Sequence, residues 1–324
     1  MSSGTGFQVI MTSPRLAEPA VAVLEHVGCT IHYMAPYPSA QAVTALTGEV
    51  QAHAILTRQG PVTAAAMDAS ARLRIVARHG VGVDDVDLDA ARVRGIIVAR
   101  APGSNTLAVA EHTIAMILAM AKDFRALGEM IATGNWRGGA TKVRDIHGMR
   151  LGLLGFGAIG RQVAILAQPF GMDVMALARP GTAIRPAGRV AQASDLDALL
   201  RHSDVLSVHC PYTPETHHVI NAAAFSAMQQ GSYLVNTARG GIVDEAALAT
   251  ALDAGHIAGA ALDVFEVEPP RPDYGLRRHA KVLATPHVSG VTDASLVNMG
   301  LMAAECIAAC LTGQALPAER VVVG

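Results

Sequence analysis

Short runs of β-branched and aliphatic residues alternate along this chain with longer stretches in which apolar positions recur every three to four residues. The short runs predict strands over residues 8–11, 29–33, 54–57, 74–77, 151–154 and 173–177. The longer stretches predict helices over 14–26, 105–121, 161–167 and 296–312; in 105–121 the set Leu107, Ala110, Ile114, Ile117, Leu118 and Ala121 keeps helical spacing. Strands alternating with helices imply βαβ units around a parallel sheet, so the fold class is α/β. The series runs twice. It breaks first at Ala101-Pro102-Gly103-Ser104, resumes at 151 and closes near Pro286, and no fixed-period repeat accompanies it.

Composition narrows the class of protein. At 324 residues the chain has room for about two domains, and 51% hydrophobic against 16% charged residues excludes general disorder. Lys and Arg total 25 against 27 Asp and Glu, a balance that points away from nucleic acid and anionic membrane and toward a small molecule or a second copy as partner. The mean hydropathy of +0.33 raises the question of a membrane span. The best apolar run, 113–121, stops at Lys122-Asp123, short of the roughly 18–20 residues a span needs. The N-terminus lacks the basic start and apolar core of a secretory signal, so a cytoplasmic location is expected. Cys29, Cys210, Cys306 and Cys310 show no CxxC spacing; they read as reduced core thiols, and no metal site is expected.

The strand 151–154 runs into Gly155-Phe156-Gly157-Ala158-Ile159-Gly160, which opens the helix 161–167. GxGxxG in that setting is a dinucleotide site: glycines allow a tight turn and close backbone approach, and free N–H groups at the helix N-terminus face the pyrophosphate. About 20 residues further on, NAD enzymes place an acid for the ribose hydroxyls. Here Ala178 stands at the end of strand 173–177, followed by Arg179, with Arg185 and Arg189 in the same loop. Cations in place of an anion suit a 2'-phosphate, so NADP(H) is the expected cofactor, with NAD(H) possible and Arg179 the main phosphate contact.

Three later segments put polar residues at predicted strand ends: Asn236-Thr237-Ala238-Arg239-Gly240-Gly241, Asp263-Val264-Phe265-Glu266-Val267-Glu268-Pro269 and Thr285-Pro286-His287-Val288-Ser289-Gly290. With the glycine motif, with Arg78-His79-Gly80-Val81-Gly82-Val83-Asp84, with Asn105 to His112 and with Pro211-Tyr212-Thr213-Pro214-Glu215-Thr216, the series resembles the D-isomer-specific 2-hydroxyacid dehydrogenases over nearly the whole chain. That family includes D-3-phosphoglycerate dehydrogenase, hydroxypyruvate reductase and glyoxylate reductase.

The resemblance implies a catalytic trio of Arg239, Glu268 and His287. Reduction of a 2-oxo acid needs a proton on the carbonyl oxygen, which His287 can give near neutral pH. A carboxylate at Glu268 favours imidazolium, and Arg239 can hold the substrate carboxylate and polarise the carbonyl. It further implies that Asp263 meets the nicotinamide carboxamide, that Cys210, Pro211, Thr216, Thr237 and Ala238 border the cofactor, and that the backbone N–H groups of Val81 and Gly82 bind the substrate carboxylate. His217-His218 is not read as a metal pair, because neighbours on an extended segment point to opposite faces.

By the same resemblance, residues 1–101 and 291–324 form a flavodoxin-like substrate domain, and 102–290 form an inserted Rossmann cofactor domain, with the active site in the cleft. A homodimer is expected. Glyoxylate and hydroxypyruvate are the leading substrates, because an NADPH preference suits a reductase and the chain stops at Gly324 with no room for a C-terminal regulatory domain. D-3-phosphoglycerate is the alternative, and a dinucleotide-sensing interaction protein is the rival from another class.

Overall fold

The computed structural model describes residues 6–136, 143–179 and 189–324. Along the chain the strands are β1 (Phe7–Met11), β2 (Cys29–Tyr33), β3 (Ala54–Thr57), β4 (Ile75–Arg78), β5 (Ile97–Ala99), β6 (Arg150–Leu154), β7 (Asp173–Leu177), β8 (Val190–Gln192), β9 (Val205–Val208), β10 (Ser232–Asn236), β11 (Ile257–Leu262), β12 (Val282–Ala284) and β13 (Val321–Val323). The chain divides into two compact units, Met1–Asn105 with Val291–Gly324, and Thr106–Gly290.

The sheet of the first unit runs β13-β5-β4-β3-β1-β2. Its pairs are parallel except that β13 lies antiparallel on β5. Successive side chains of a strand point to opposite faces, and here both faces are covered. Leu56, Ile75 and Ala77 join Leu24, Ala303 and Ile307 on one side, while Ile55, Val76 and Val98 join Val43, Met67 and Ala91 on the other. Burial on both faces is why these strands read as continuous apolar runs.

Two helices of this unit differ from the sequence expectation. The helix expected from residue 14 begins at Glu18, with Pro19 in its first turn. Residues 12–17 are instead a loop, anchored where the buried Thr12 hydroxyl accepts the Arg58 and Gln59 N–H groups at 2.9 and 3.2 Å. The last helix, Asp293–Leu311, is capped by Thr292 and Ser295, each side chain accepting the other's backbone N–H. By length and composition alone it could cross a membrane. Asn298 and Glu305 interrupt its pattern, so it holds no unbroken apolar run to stand out in the sequence. In this fold Ala303, Ala304, Cys306, Ile307 and Cys310 are buried in the core beside the helix Glu18–His26.

The second unit is a parallel seven-stranded sheet in the order β12-β11-β10-β9-β6-β7-β8. One face packs Leu151, Leu153, Val174 and Val235 against Ile114, Ile117 and Val163. The other packs Leu206, Leu234 and Leu262 against Leu199, Phe225 and Leu248. The helix Thr106–Ala121 belongs here. Edge strand β8 is short with two exposed residues, so it carries no hydrophobic signature to find in the sequence. The strand order turns back between β6 and β9. Open parallel sheets bind ligands outside the carboxyl ends of their strands at that switch point.

Candidate active site

At the switch point β6 delivers the glycine turn. Gly155 has φ +102, and a Cβ there would stand 2.6 Å from the Cys210 nitrogen at the end of β9. A Cβ on Gly160 would stand 2.4 Å from the Gly155 carbonyl oxygen, whereas one on Gly157 would meet nothing within 4 Å. Two glycines therefore serve packing and the middle one faces open space. Gly157 is also the cap residue of the helix Ala158–Ala167 and has no capping side chain. The first-turn N–H groups, which have no partner inside a helix, are thus unobstructed at exposed Ala158 and half-buried Ile159. Such an end suits a dinucleotide pyrophosphate.

Several predicted cofactor contacts stand otherwise than expected. The Phe156 ring is buried, with the Arg161 guanidinium 4.8 Å above it; it is a core ring, and only its backbone can meet a ligand. Cys210 packs against the core, and burial pushes its thiol up to about 11. The Thr216 hydroxyl holds its own turn, accepting the Thr213 N–H at 2.7 Å and donating to the Pro211 carbonyl at 2.8 Å, with Pro211 exposed beside it. Thr237 is buried against the Thr113 hydroxyl at 3.1 Å, and the Ala238 N–H donates to Asn236. Beyond β7, Ala178 is half-buried while Arg179 and Arg189 are exposed. Arg185 lies outside the described residues.

Asp263 departs furthest from its expected role. It is 0% exposed, and its carboxylate accepts from the Thr285 hydroxyl at 2.6 Å, the Val288 N–H at 2.9 Å and the Ser289 N–H at 2.8 Å. A carboxylate so enclosed has no surface for a carboxamide; it fixes the loop that carries His287. That loop needs fixing, because His287 sits at φ +52, a backbone region uncommon for residues with a side chain. The His287 N–H donates to the Asp263 carbonyl at 2.8 Å.

His287 and Glu268 come together, 2.6 Å separating Nδ1 from Oε2. The carboxylate accepts a hydrogen bond from Nδ1–H and leaves Nε2, on a half-exposed ring, as the nitrogen that can meet a reactant. The other Glu268 oxygen accepts the Phe265 N–H at 3.0 Å. Arg239, half-buried just past β10, donates from Nη1 to the Ala238 carbonyl at 2.7 Å. The two loops touch: a Cβ on Gly240 would fall 1.9 Å from the Phe265 carbonyl carbon. Arginine, carboxylate and histidine thus gather at the carboxyl ends of β10, β11 and β12.

In the first unit, Val81 and Gly82 follow β4 and are half-buried. The preceding Gly80 has φ +146 and accepts from the Ala101 N–H at 2.8 Å. His79 is buried, and desolvation with the nearby Arg58 charge lowers its pKa to about 4.

Sequence reasoning missed a second polar cluster around Glu245, Glu266, Tyr274 and His218. Only the density of acids in residues 263–268 hinted at it. It also misjudged the histidine pair: His218 sits at φ +49, which turns the chain so that the His217 and His218 rings stack at 3.9 Å rather than facing apart.

The sequence matches the NAD binding domain of the D-isomer specific 2-hydroxyacid dehydrogenases over residues 114–289. D-3-phosphoglycerate dehydrogenase of Archaeoglobus fulgidus is 40% identical over 254 residues, covering 78% of this chain and 48% of the relative; the chain spans about half the length of the curated relatives it matches. A crystal structure of a Thermus thermophilus protein covers 98% of this chain and 100% of its own at 34% identity and TM-score 0.87. A glyoxylate reductase from Paecilomyes thermophila covers 98% of both chains at 27% identity and TM-score 0.86. A match across more than half the chain, on the sheet whose switch point and strand ends carry these residues, settles its kinship: the chain belongs to the D-isomer specific 2-hydroxyacid dehydrogenase family.

Proposed function

We propose that this protein interconverts 2-oxo acids and D-2-hydroxy acids by hydride exchange with a nicotinamide dinucleotide. The observation that carries this reading is the 2.6 Å pairing of His287 with Glu268, on a loop held in a strained backbone beside Arg239. A reduced dinucleotide, when bound, supplies hydride to the carbonyl carbon. His287 gives its Nε2 proton to the carbonyl oxygen, and in oxidation takes it back. Glu268 stabilises the imidazolium and fixes the ring, while Arg239 grips the carboxylate and polarises the carbonyl. Val81 and Gly82 are proposed to offer backbone N–H groups to the substrate carboxylate.

Glyoxylate and hydroxypyruvate are the proposed substrates, consistent with the glyoxylate reductase neighbour. D-3-phosphoglycerate is the second reading. It is supported by the 40% identical relative. The proposed cofactor is NADP(H), supported by exposed Arg179 following Ala178 where an acid would serve NAD. We also propose a homodimer: the helix Phe124–Ala132 has no buried residue and exposes Phe124 and Ile131.

The test is the rate of NADPH and NADH oxidation with glyoxylate, hydroxypyruvate and pyruvate, beside D-3-phosphoglycerate oxidation with NADP+ and NAD+. Turnover of one acid establishes the enzyme and names its substrate; dinucleotide binding with no turnover of any of them overturns the reading. Arg179→Ala is expected to weaken NADPH binding by about tenfold or more and leave NADH nearly unchanged, the loss of a charge-assisted contact. An unchanged NADPH Kd refutes the cofactor assignment.

A further inference from the structure

The loop that carries Glu268 is tied to the rest of its unit by a reciprocal pair of acids. The Glu245 carboxylate accepts the Glu266 N–H at 2.9 Å, and the Glu266 carboxylate accepts the Glu245 N–H at 3.3 Å. Glu245 opens the helix Glu245–Asp253 and is buried, and Tyr274 donates its hydroxyl to the second Glu245 oxygen. Burial pushes the Glu245 carboxyl up, opposed by the Tyr274 hydroxyl and the Glu266 N–H. The same Glu266 oxygen that meets Glu245 lies 2.8 Å from His218 Nε2. The His218 N–H in turn donates to the Gly241 carbonyl at 2.9 Å, two residues past Arg239.

The clamp therefore crosses the junction where the two catalytic loops touch. At that junction the Gly240 backbone is so close to Phe265 and Glu266 that a Cβ would fall 1.9 Å from one and 2.3 Å from the other. On one side lies Arg239; on the other, Glu268 is two residues beyond Glu266 and binds its own loop through the Phe265 N–H. None of the four clamp side chains holds the reacting groups. Two acids with crossed backbone bonds, one facing a histidine and one a tyrosine, are more than a loop needs merely to end a strand.

We infer that Glu266, locked to Glu245 and facing His218, is a positioning residue that sets the distance between Arg239 and the Glu268–His287 pair. This rests on the reaction proposed above. Displacement of a catalytic group by the order of an ångström can cost about 10²-fold in rate, so a side chain that never meets substrate still governs turnover. The Glu266 carboxylate is about one-third exposed, so its replacement leaves the core intact.

The experiment compares Glu266→Ala, Glu266→Gln and Tyr274→Phe with the unmodified protein. Glutamine keeps an oxygen for the Glu245 N–H; alanine does not. Glu266→Ala is expected to lower kcat at least tenfold with the Kd for reduced dinucleotide unchanged, and Glu266→Gln to recover most of that loss. Proton NMR supplies a readout independent of turnover: the downfield His287 Nδ1–H resonance, expected from a 2.6 Å bond to a carboxylate, should weaken or shift in Glu266→Ala and return in Glu266→Gln. Tyr274→Phe should move both readouts the same way by less, and decides the matter if Glu266→Ala does not fold. Unchanged kcat and resonance in Glu266→Ala overturn the inference, as does a loss that glutamine fails to repair. If the unmodified protein turns over no acid, the proposed reaction fails and the resonance alone decides the clamp.

Discussion

His287 is held at three points: by Glu268 on Nδ1, by its own N–H to the Asp263 carbonyl, and by a left-handed backbone that Asp263 stabilises through its neighbours Val288 and Ser289. His287→Ala should lower the reductive rate by about 10²–10⁴-fold, the usual worth of a positioned general acid, with dinucleotide affinity unchanged by fluorescence titration. Glu268→Gln should lower the rate in the same direction, because it replaces the carboxylate that holds the ring at Nδ1. Asp263 shows what a residue list leaves out. The sequence places an acid at a strand end, where cofactor contact and loop anchor look alike; only its complete burial, with three donors on its carboxylate, tells which it is.

At the scale of elements, the turn between β6 and its helix separates two uses of glycine. Gly157→Ala adds a methyl group where nothing lies within 4 Å, so melting should change by no more than about 1–2 °C while dinucleotide affinity falls, the new Cβ standing over the helix N-terminus. Gly155→Ala puts a Cβ into backbone at φ +102 and should cost about 1–3 kcal/mol of stability from strain alone. Thermal melts and NADPH titration of both variants check the contrast. The place of this turn was legible beforehand, since GxGxxG between an apolar run and a helical stretch marks a tight strand-to-helix connection. The side chains around it were not: Phe156, Cys210 and Thr237 differ from cofactor-facing residues only in which way they point, and packing decides that.

Taken as a whole, the molecule carries buried neutral histidines that make its stability depend on pH. His79 titrates near 4 in the folded protein against 6.5 unfolded, and half-buried His209 likewise near 4 through desolvation. As pH falls through that window the unfolded chain takes up protons that the folded chain refuses. Stability contributed above pH 6.5 is therefore lost between about 6.5 and 4, amounting to about 3 kcal/mol for His79 alone. Urea denaturation at stepped pH should show that slope, and His79→Gln should flatten it. The sequence by itself determined the α/β class and the double series of strands, because periodicity is local and each run states its own period; Arg239, Glu268 and His287 were marked out by the resemblance to a family, through the motifs that hold them. Only the tertiary structure decided that β6 and β9 flank the switch point, that Asp263 faces inward, that His218 stacks on His217, and that Glu245 and Glu266 clasp across 21 residues. Those facts depend on which segments become neighbours, and adjacency in space comes from packing two cores, which no stretch of chain contains alone.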